Sequence, residues 1–491
     1  MATETAAPPE GTKSPSLSAT LLWAVLGLVL LADALDMIDS TVTTIAAPTI
    51  VRDIGGGQAL IKWLGSSYAL AMGVLLVVGG RLGDRFGQRR LFLIGMTGFT
   101  AASAVAGLSP DPGLLIVARA VQGAFGALLI PQGMAIMTRT FPRDMLGKAF
   151  GLFGPMLGLA TVGGPVLAGF IINANLAGLS WRPVFLINVV LGTAGVLVAL
   201  RLLPSVERDR SAAVDGWGAG LLAVTMFGLM FGLIEGSTDG WTAGPVASLV
   251  LGAVFFGLFA RRQRRAASPL LKPSLLKNRG FTSGLIVGLL FFAVTSGLIY
   301  VISLFMQQAL HASAGSAALG LLPLTIGIII AAFACMALAQ RLGRTLIGIG
   351  MLVTMAGAGW LLGLVASDGT GLSLWTLSPA VLLTGLGMGA CFGTIYDIAL
   401  GDIAADEAGS ASGSLTAIQQ LANGIGSAVV TTVYFHSGGS AHAMTVSVIV
   451  VLAITAACLP ALRLLPRRAP AEPAEPAEPA EAGEPAGVSG G

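Results

Sequence analysis

The sequence predicts an all-α integral membrane protein: fourteen transmembrane helices, forming two six-helix bundles with an inserted central pair. Three observations carry that expectation. Of 491 residues, 55% are hydrophobic and 10% charged, whereas a soluble domain carries about 25% charged residues. The chain therefore cannot cover a water-facing surface of its size. Apolar stretches long enough to span a bilayer, roughly 20 residues, recur from Leu21 to Leu465. Finally, Asp84-Arg85-Phe86-Gly87 after the second stretch is weakly echoed by Gln340-Arg341-Leu342-Gly343 after the tenth, as two repeated halves around a midplane site would give. A soluble enzyme, a nucleic-acid-binding domain and a disulfide scaffold are excluded.

The N-terminus, residues 1–20, holds Glu4, Glu10 and Lys13 among prolines. It lacks the basic start and cleavage site of a signal peptide, so the first apolar stretch is expected to be retained. The first half, 21–203, carries spans near 21–48, 60–80, 91–109, 113–138, 149–173 and 183–203. The first span exceeds what a bilayer needs and must tilt or project. Residues 204–279 supply the central pair, near 216–235 and 243–260, with basic loops on either side. The second half, 280–465, holds spans near 280–306, 315–339, 345–366, 376–400, 408–434 and 441–465. The Ala-Glu-Pro tail, 466–491, has no apolar side chains to bury and reads as disordered. Cys335, Cys391 and Cys458 lie singly in apolar stretches, as small buried hydrophobes do.

Lys and Arg set the expected orientation. All but Arg52, Lys62, Arg182 and the intramembrane Arg119 fall in loops on one side. The positive-inside rule makes that side cytoplasmic, with both termini there. The loop of Asp402, Asp406 and Glu407 falls on the same side yet is acidic, an exception the rule tolerates because acids contribute little to it.

Charges inside spans need a separate reason. Asp33, Asp36 and Asp39 recur every third residue of the first span, within a sector of about 120° and about 9 Å of helix rise. Three charged carboxylates at midspan would cost on the order of 7–10 kcal/mol facing lipid. They must face protein or water. Clustered, desolvated acids hold protons tightly and titrate as a unit, which suits proton coupling; the alternative is local bonding near a wet helix end, most open for Asp33. Arg119 enters the fourth span at a depth compatible with pairing to Asp39, or else bonds backbone carbonyls.

Further candidates follow the chain. Gly80, Asp84, Arg85 and Gly87 form a tight charged turn fit for a conformational latch. The fifth span concentrates small residues, Gly151, Gly164 and Gly169, with Pro165 in mid-span. Thr416, Gln419, Gln420 and Asn423 make one polar stripe of the thirteenth span, either helix glue or cavity lining, and Gln307 shares that ambiguity.

At these residues the chain resembles a fourteen-helix drug:proton antiporter of the major facilitator superfamily. Gly80 to Arg90 is similar to the superfamily loop signature; Asp39 through Pro48 resembles the first-helix signature of that branch, with Thr44 and Ala47 departing from it. Arg119-Ala-Val-Gln122-Gly123 resembles the proton-coupling motif of the fourth helix, and Gly151, Gly164-Pro165 and Gly169 match the antiporter motif in part, with Ala160 and Ala168 at two of its glycines. Trp181 through Asn188 is also similar to the branch. The resemblance implies a monomeric multi-pass protein of the cell membrane. It would export hydrophobic or cationic drugs or antibiotics against protons, with Asp36, Asp39 and Arg119 in coupling. No cofactor beyond the proton gradient and no nucleic acid would be involved. A proton-coupled uptake symporter on the same fold is the alternative, and a non-transporting sensor or scaffold a more distant one.

Overall fold

The computed structural model describes residues 18–466 apart from 153–155, 157–162, 165–166, 173, 176–177, 204–214, 267–268, 405–406 and 439–440. The expected N-terminal and Ala-Glu-Pro tails lie almost entirely outside the described residues, as does Pro165.

Local chemistry starts and stops the helices. In the first half these are α1 (Ala19–Ile54), α2 (Gly57–Phe86), α3 (Gln88–Gly107), α4 (Pro112–Thr140), α5 (Arg143–Gly151) and α6 (Pro183–Leu202). Asp111 caps α4 by accepting from the Leu114 N–H at 3.0 Å, with Pro112 pre-set for the first turn. Gly87, at φ 93°, ends α2 and opens α3, so the turn needs a residue without a Cβ. The central pair is α7 (Gly216–Asp239) and α8 (Ala243–Gln263).

The second half holds α9 (Pro273–Lys277), α10 (Arg279–Leu304), α11 (Ala314–Gly320), α12 (Leu322–Leu342), α13 (Arg344–Asp368), α14 (Leu374–Leu400), α15 (Ala408–His436) and α16 (Ala441–Ala461). Asn278 and Ser373 cap α10 and α14. A π-helical turn, Phe305–Ala309, extends α10. The tenth expected span is broken at Leu321, where Pro323 near the start of α12 supplies no N–H to continue the ladder from α11.

Twelve helices among the described residues are long and apolar enough to cross a membrane, against the fourteen expected. The two differences have separate reasons. α15 is long, but Thr416, Gln419, Gln420, Asn423 and several serines dilute its hydropathy; it packs on α10, α2, α4 and α7. In the expected fifth span, 149–173, residues 153–155, 157–162, 165–166 and 173 lie outside the described residues. Burial separates centre from rim: the most apolar window of α14 is 78% buried, that of α8 only 17%, so α8 is the peripheral helix.

The basic ends converge on one face. Arg89 at the start of α3 donates to the Leu200 carbonyl near the end of α6 (2.7 Å), and Arg344 opens α13 by donating to the Leu465 carbonyl (3.1 Å). Glu407 of the acidic loop pairs with Lys272 at 3.6 Å, which gives that exception a local counter-charge. On this face the two halves share a core: Leu26, Met134 and Phe150 pack with Phe281, Phe392 and Leu415. At the opposite end each half keeps its own, Val42, Leu60 and Trp181 in one and Leu298, Leu361 and Tyr434 in the other. There Asp53 accepts from Arg182 (2.6 Å) and Trp181 (2.9 Å), and the Arg182 hydrogen bond, with help from Trp181, holds its carboxyl below the ordinary value.

The central pair bridges the halves. α7 packs on both α2 and α15, and Trp241 in the turn after it donates to the Thr432 hydroxyl of α15 at 2.8 Å. Asp215 closes the basic end of the pair with two 3.0 Å hydrogen bonds from Arg262, and that contact draws its carboxyl below the ordinary value.

Candidate functional site

The acids of α1 are buried in protein, as the cost of facing lipid demands: Asp33 is 9% exposed, Asp36 and Asp39 2% each. Asp39 sits where five helices meet. Its Oδ2 pairs with the Arg119 guanidinium of α4, and its Oδ1 accepts from Gln122 Nε2 at 2.9 Å and from Asn188 Nδ2 of α6 at 2.6 Å. Gln122 in turn accepts from Arg119 (2.8 Å) and donates to Ser103 of α3 (2.9 Å). Arg119 Nε donates to the Leu64 carbonyl of α2 at 3.0 Å. Desolvating such a pair is costly unless its remaining donors and acceptors are satisfied, and this network satisfies both carboxylate oxygens. Asp36 accepts from the Tyr68 hydroxyl of α2.

Asp33 instead lines a cavity between the halves with Met37, Met72, Ile130 and Met134 of the first half and Phe392, Tyr396, Thr416, Gln419 and Gln420 of the second. Its volume of about 20 Å³ has room for one water and excludes a drug-sized molecule. The walls are soft and aromatic: Phe392 stacks on Tyr396 at 5.3 Å between centroids, and the Tyr396 hydroxyl donates to Gln419 Oε1 at 2.6 Å. Unbranched Met side chains can repack around different apolar shapes.

On the basic face Asp84 reaches across the halves. Its Oδ1 accepts from the Gly409 N–H (3.1 Å), and its Oδ2 from the Ser410 N–H (3.0 Å) and hydroxyl (2.7 Å). These are free donors of the first turn of α15, where the helix dipole favours an anion. Arg139 lies 3.7 Å from the same carboxylate. Gly80 makes the approach possible, because a Cβ there would run into the Gly409 carbonyl.

The structure thus brings Asp39 and Arg119 together and places Asp36 one turn away. It sets Asp33, Thr416 and Gln420 around one cavity and Gly80 and Asp84 against α15. Arg85 points to solvent beside Phe86, while Gly87 forms the turn. Gln307 is exposed in the π-helical turn and donates to Ser303, and Asn423 is half-buried; neither lines the cavity. Gly151 ends α5 against Gly393 of α14, Gly164 is buried and Gly169 half-buried. Sequence reasoning missed Gln122 and Asn188 as partners of Asp39, and Tyr68 altogether. Gln122 shares the face of Arg119 three residues on, and Asn188 is the one polar amide of an apolar span; those were the available signals.

Residues 29–427 match the Major Facilitator Superfamily. The chain is 39% identical over 437 residues to the probable actinorhodin transporter of Streptomyces coelicolor, an alignment covering 88% of this chain and 76% of that one. It is 31% identical over 442 residues to the tetracenomycin C resistance and export protein of Streptomyces glaucescens, covering 88% and 79%. Among solved structures, the human organic anion transporter MFSD10 superposes with a TM-score of 0.62 over 90% of this chain and 98% of that one, at 16% identity, a likeness of fold alone. The chain belongs to the Major Facilitator Superfamily, and is a multi-pass membrane transporter rather than an enzyme.

Proposed function

We propose that this protein exports amphipathic small molecules of the antibiotic and drug class across the cell membrane in exchange for protons. The observation that carries the proposal is the buried Asp39–Arg119 pair, completed by Gln122 and Asn188, one face of the helix that also presents Asp33 to the cavity between the halves. A carboxylate held so is a proton site whose occupancy changes its grip on Arg119. The relative named as a tetracenomycin C resistance and export protein favours this direction of transport and this substrate class.

The working scheme is alternating access between two six-helix bundles, with fourteen spans in all. The basic face is cytoplasmic, with both termini there. The core shared by the halves on that face supports a conformation closed to the cytoplasm, with Asp84 as the latch. A proton arriving from outside neutralises Asp39 or Asp36, Arg119 is released, and substrate leaves outward. Proton release to the cytoplasm restores the pair. Each charge moved through 100 mV is worth about 2.3 kcal/mol, enough to concentrate substrate about fifty-fold. The protein works as a monomer without a cofactor. Transport in inverted vesicles tests direction: an imposed outward proton gradient, with the lumen acidic, should drive substrate into the lumen, and substrate leaving the lumen with the protons would make the protein a symporter.

A further inference from the structure

Tyr68 touches the surroundings of both inner acids. Its hydroxyl donates to Asp36 Oδ1, and its ring lies 4.5 Å from the guanidinium carbon of Arg119, the partner of Asp39. The side chain is buried, 4% exposed. Two glycines of α4 hold it at this height. A Cβ on Gly123 would run into the Tyr68 backbone carbonyl. One on Gly126 would lie 3.1 Å from Tyr68 Oη and 3.4 Å from Asp36 Oδ1. The Tyr68–Asp36 hydrogen bond therefore occupies a slot shaped by two missing side chains.

Resting on the proton-coupling reading above, we infer that Tyr68 is a positioning residue that ties the proton occupancy of Asp36 to the Arg119–Asp39 pair. While Asp36 is charged, its acceptor strength orients the phenol, and the ring is held against Arg119, supporting the guanidinium through a cation–π contact while it pairs with Asp39. When Asp36 takes a proton, the charge that anchored the hydroxyl is gone, the ring loses its orientation, and Arg119 loses one of its supports. A proton on one acid thus loosens the ion pair of the other without direct contact between the two. The groups facing Asp36 are few. Among the described residues, its own helix supplies Asp33 and Asp39, α2 supplies Tyr68 and α4 supplies Arg119; the neutral Asn188 of α6 donates to Asp39, and Tyr396 of α14 faces Asp33 across the cavity.

Infrared difference titration of the purified full-length protein reads this directly, through the C=O bands of protonated carboxyls. The Asp36 and Asp39 bands are those lost in Asp36→Asn and in Asp39→Asn. In Tyr68→Phe, which keeps the ring and removes the donor, protonation of Asp36 should set in about one pH unit higher, its band should move to higher frequency, and the Asp39 band should shift with it. Gly126→Ala, which crowds the same hydrogen bond from α4, should move both bands in the same direction, and stands in if the first variant misfolds. An unmoved Asp36 band, or an Asp36 band that moves while Asp39 stays, would overturn the inference. Reconstituted Asp39→Asn separates the levels: if that variant still exports against a pH gradient, the coupling reading itself fails. If it is dead while Tyr68→Phe titrates normally, only the role of Tyr68 fails.

Discussion

Asp84 and Ser410, 326 residues apart in the chain, share two hydrogen bonds on the basic face, from the Ser410 N–H at 3.0 Å and its hydroxyl at 2.7 Å. A residue of the first half thereby caps a helix of the second. In the proposed alternating-access scheme this contact breaks when the halves part on the basic face.

Asp84→Asn keeps the shape and removes the charge. Hydrogen bonds to a charged group contribute about 1.5–3 kcal/mol each, so the closed conformation should lose on the order of 10- to 100-fold in relative population. Distances between spin labels at the exposed Arg85 and Arg341 should broaden toward longer values, and turnover should fall with the order of preferred substrates unchanged. A changed substrate order at normal turnover would mean that Asp84 acts on the cavity instead.

Gly80→Val tests the same closure by size. The added side chain meets the Gly409 carbonyl, so the halves cannot close on the basic face. Export should be lost while the protein still inserts and purifies as a folded monomer. Normal export by this variant would show that the approach of α2 to α15 is dispensable.

The cavity separates two residues of one stripe. Gln420 lines it and Asn423 does not. Gln420→Leu should alter discrimination, costing polar substrates about 1–3 kcal/mol per lost buried hydrogen bond and strongly apolar ones less. Asn423→Leu should instead lower all substrates together with the amount of folded protein. Resistance to two chemically different compounds, read beside thermal stability in detergent, distinguishes the outcomes.

The Asp215–Arg262 contact gives a pH signature. Because Asp215 titrates lower in the fold than in the unfolded chain, its contribution is present above the ordinary carboxylate range. It is lost as pH falls through the lowered folded value. Arg262 is 44% exposed at its side chain, so solvent screening keeps the contribution small. Asp215→Asn should lower the melting temperature at neutral pH, and the gap to wild type should close in acid. A gap that stays constant into acid would assign the effect to something other than this ion pair.

What the sequence made legible follows from what a bilayer forces on it. Spans must be apolar for their whole length, so most helix positions could be read directly; α15 escapes a hydropathy count because Thr416, Gln419 and their neighbours are buried against protein, where polarity is tolerated. The Asp39–Arg119 pair was legible because charges at matching depth have few places to go. Tyr68 and Asn188 were not. Their roles depend on α2 and α6 flanking α1, and nothing in hydropathy says which helices are neighbours. The break at Leu321 and the π-helical turn at Phe305–Ala309 also lie inside stretches that read as continuous, although Pro323 marked the first.

Asp39→Asn is the decisive variant, since it keeps the size and most hydrogen bonding of the residue that Arg119, Gln122 and Asn188 surround while removing its charge. The measurement is substrate movement driven by an imposed pH gradient in proteoliposomes, at equal amounts of folded wild type and variant. Coupling through Asp39 requires that the variant fall to the level of protein-free liposomes. Transport at the wild-type rate would place the proton elsewhere and contradict the role assigned to the buried pair.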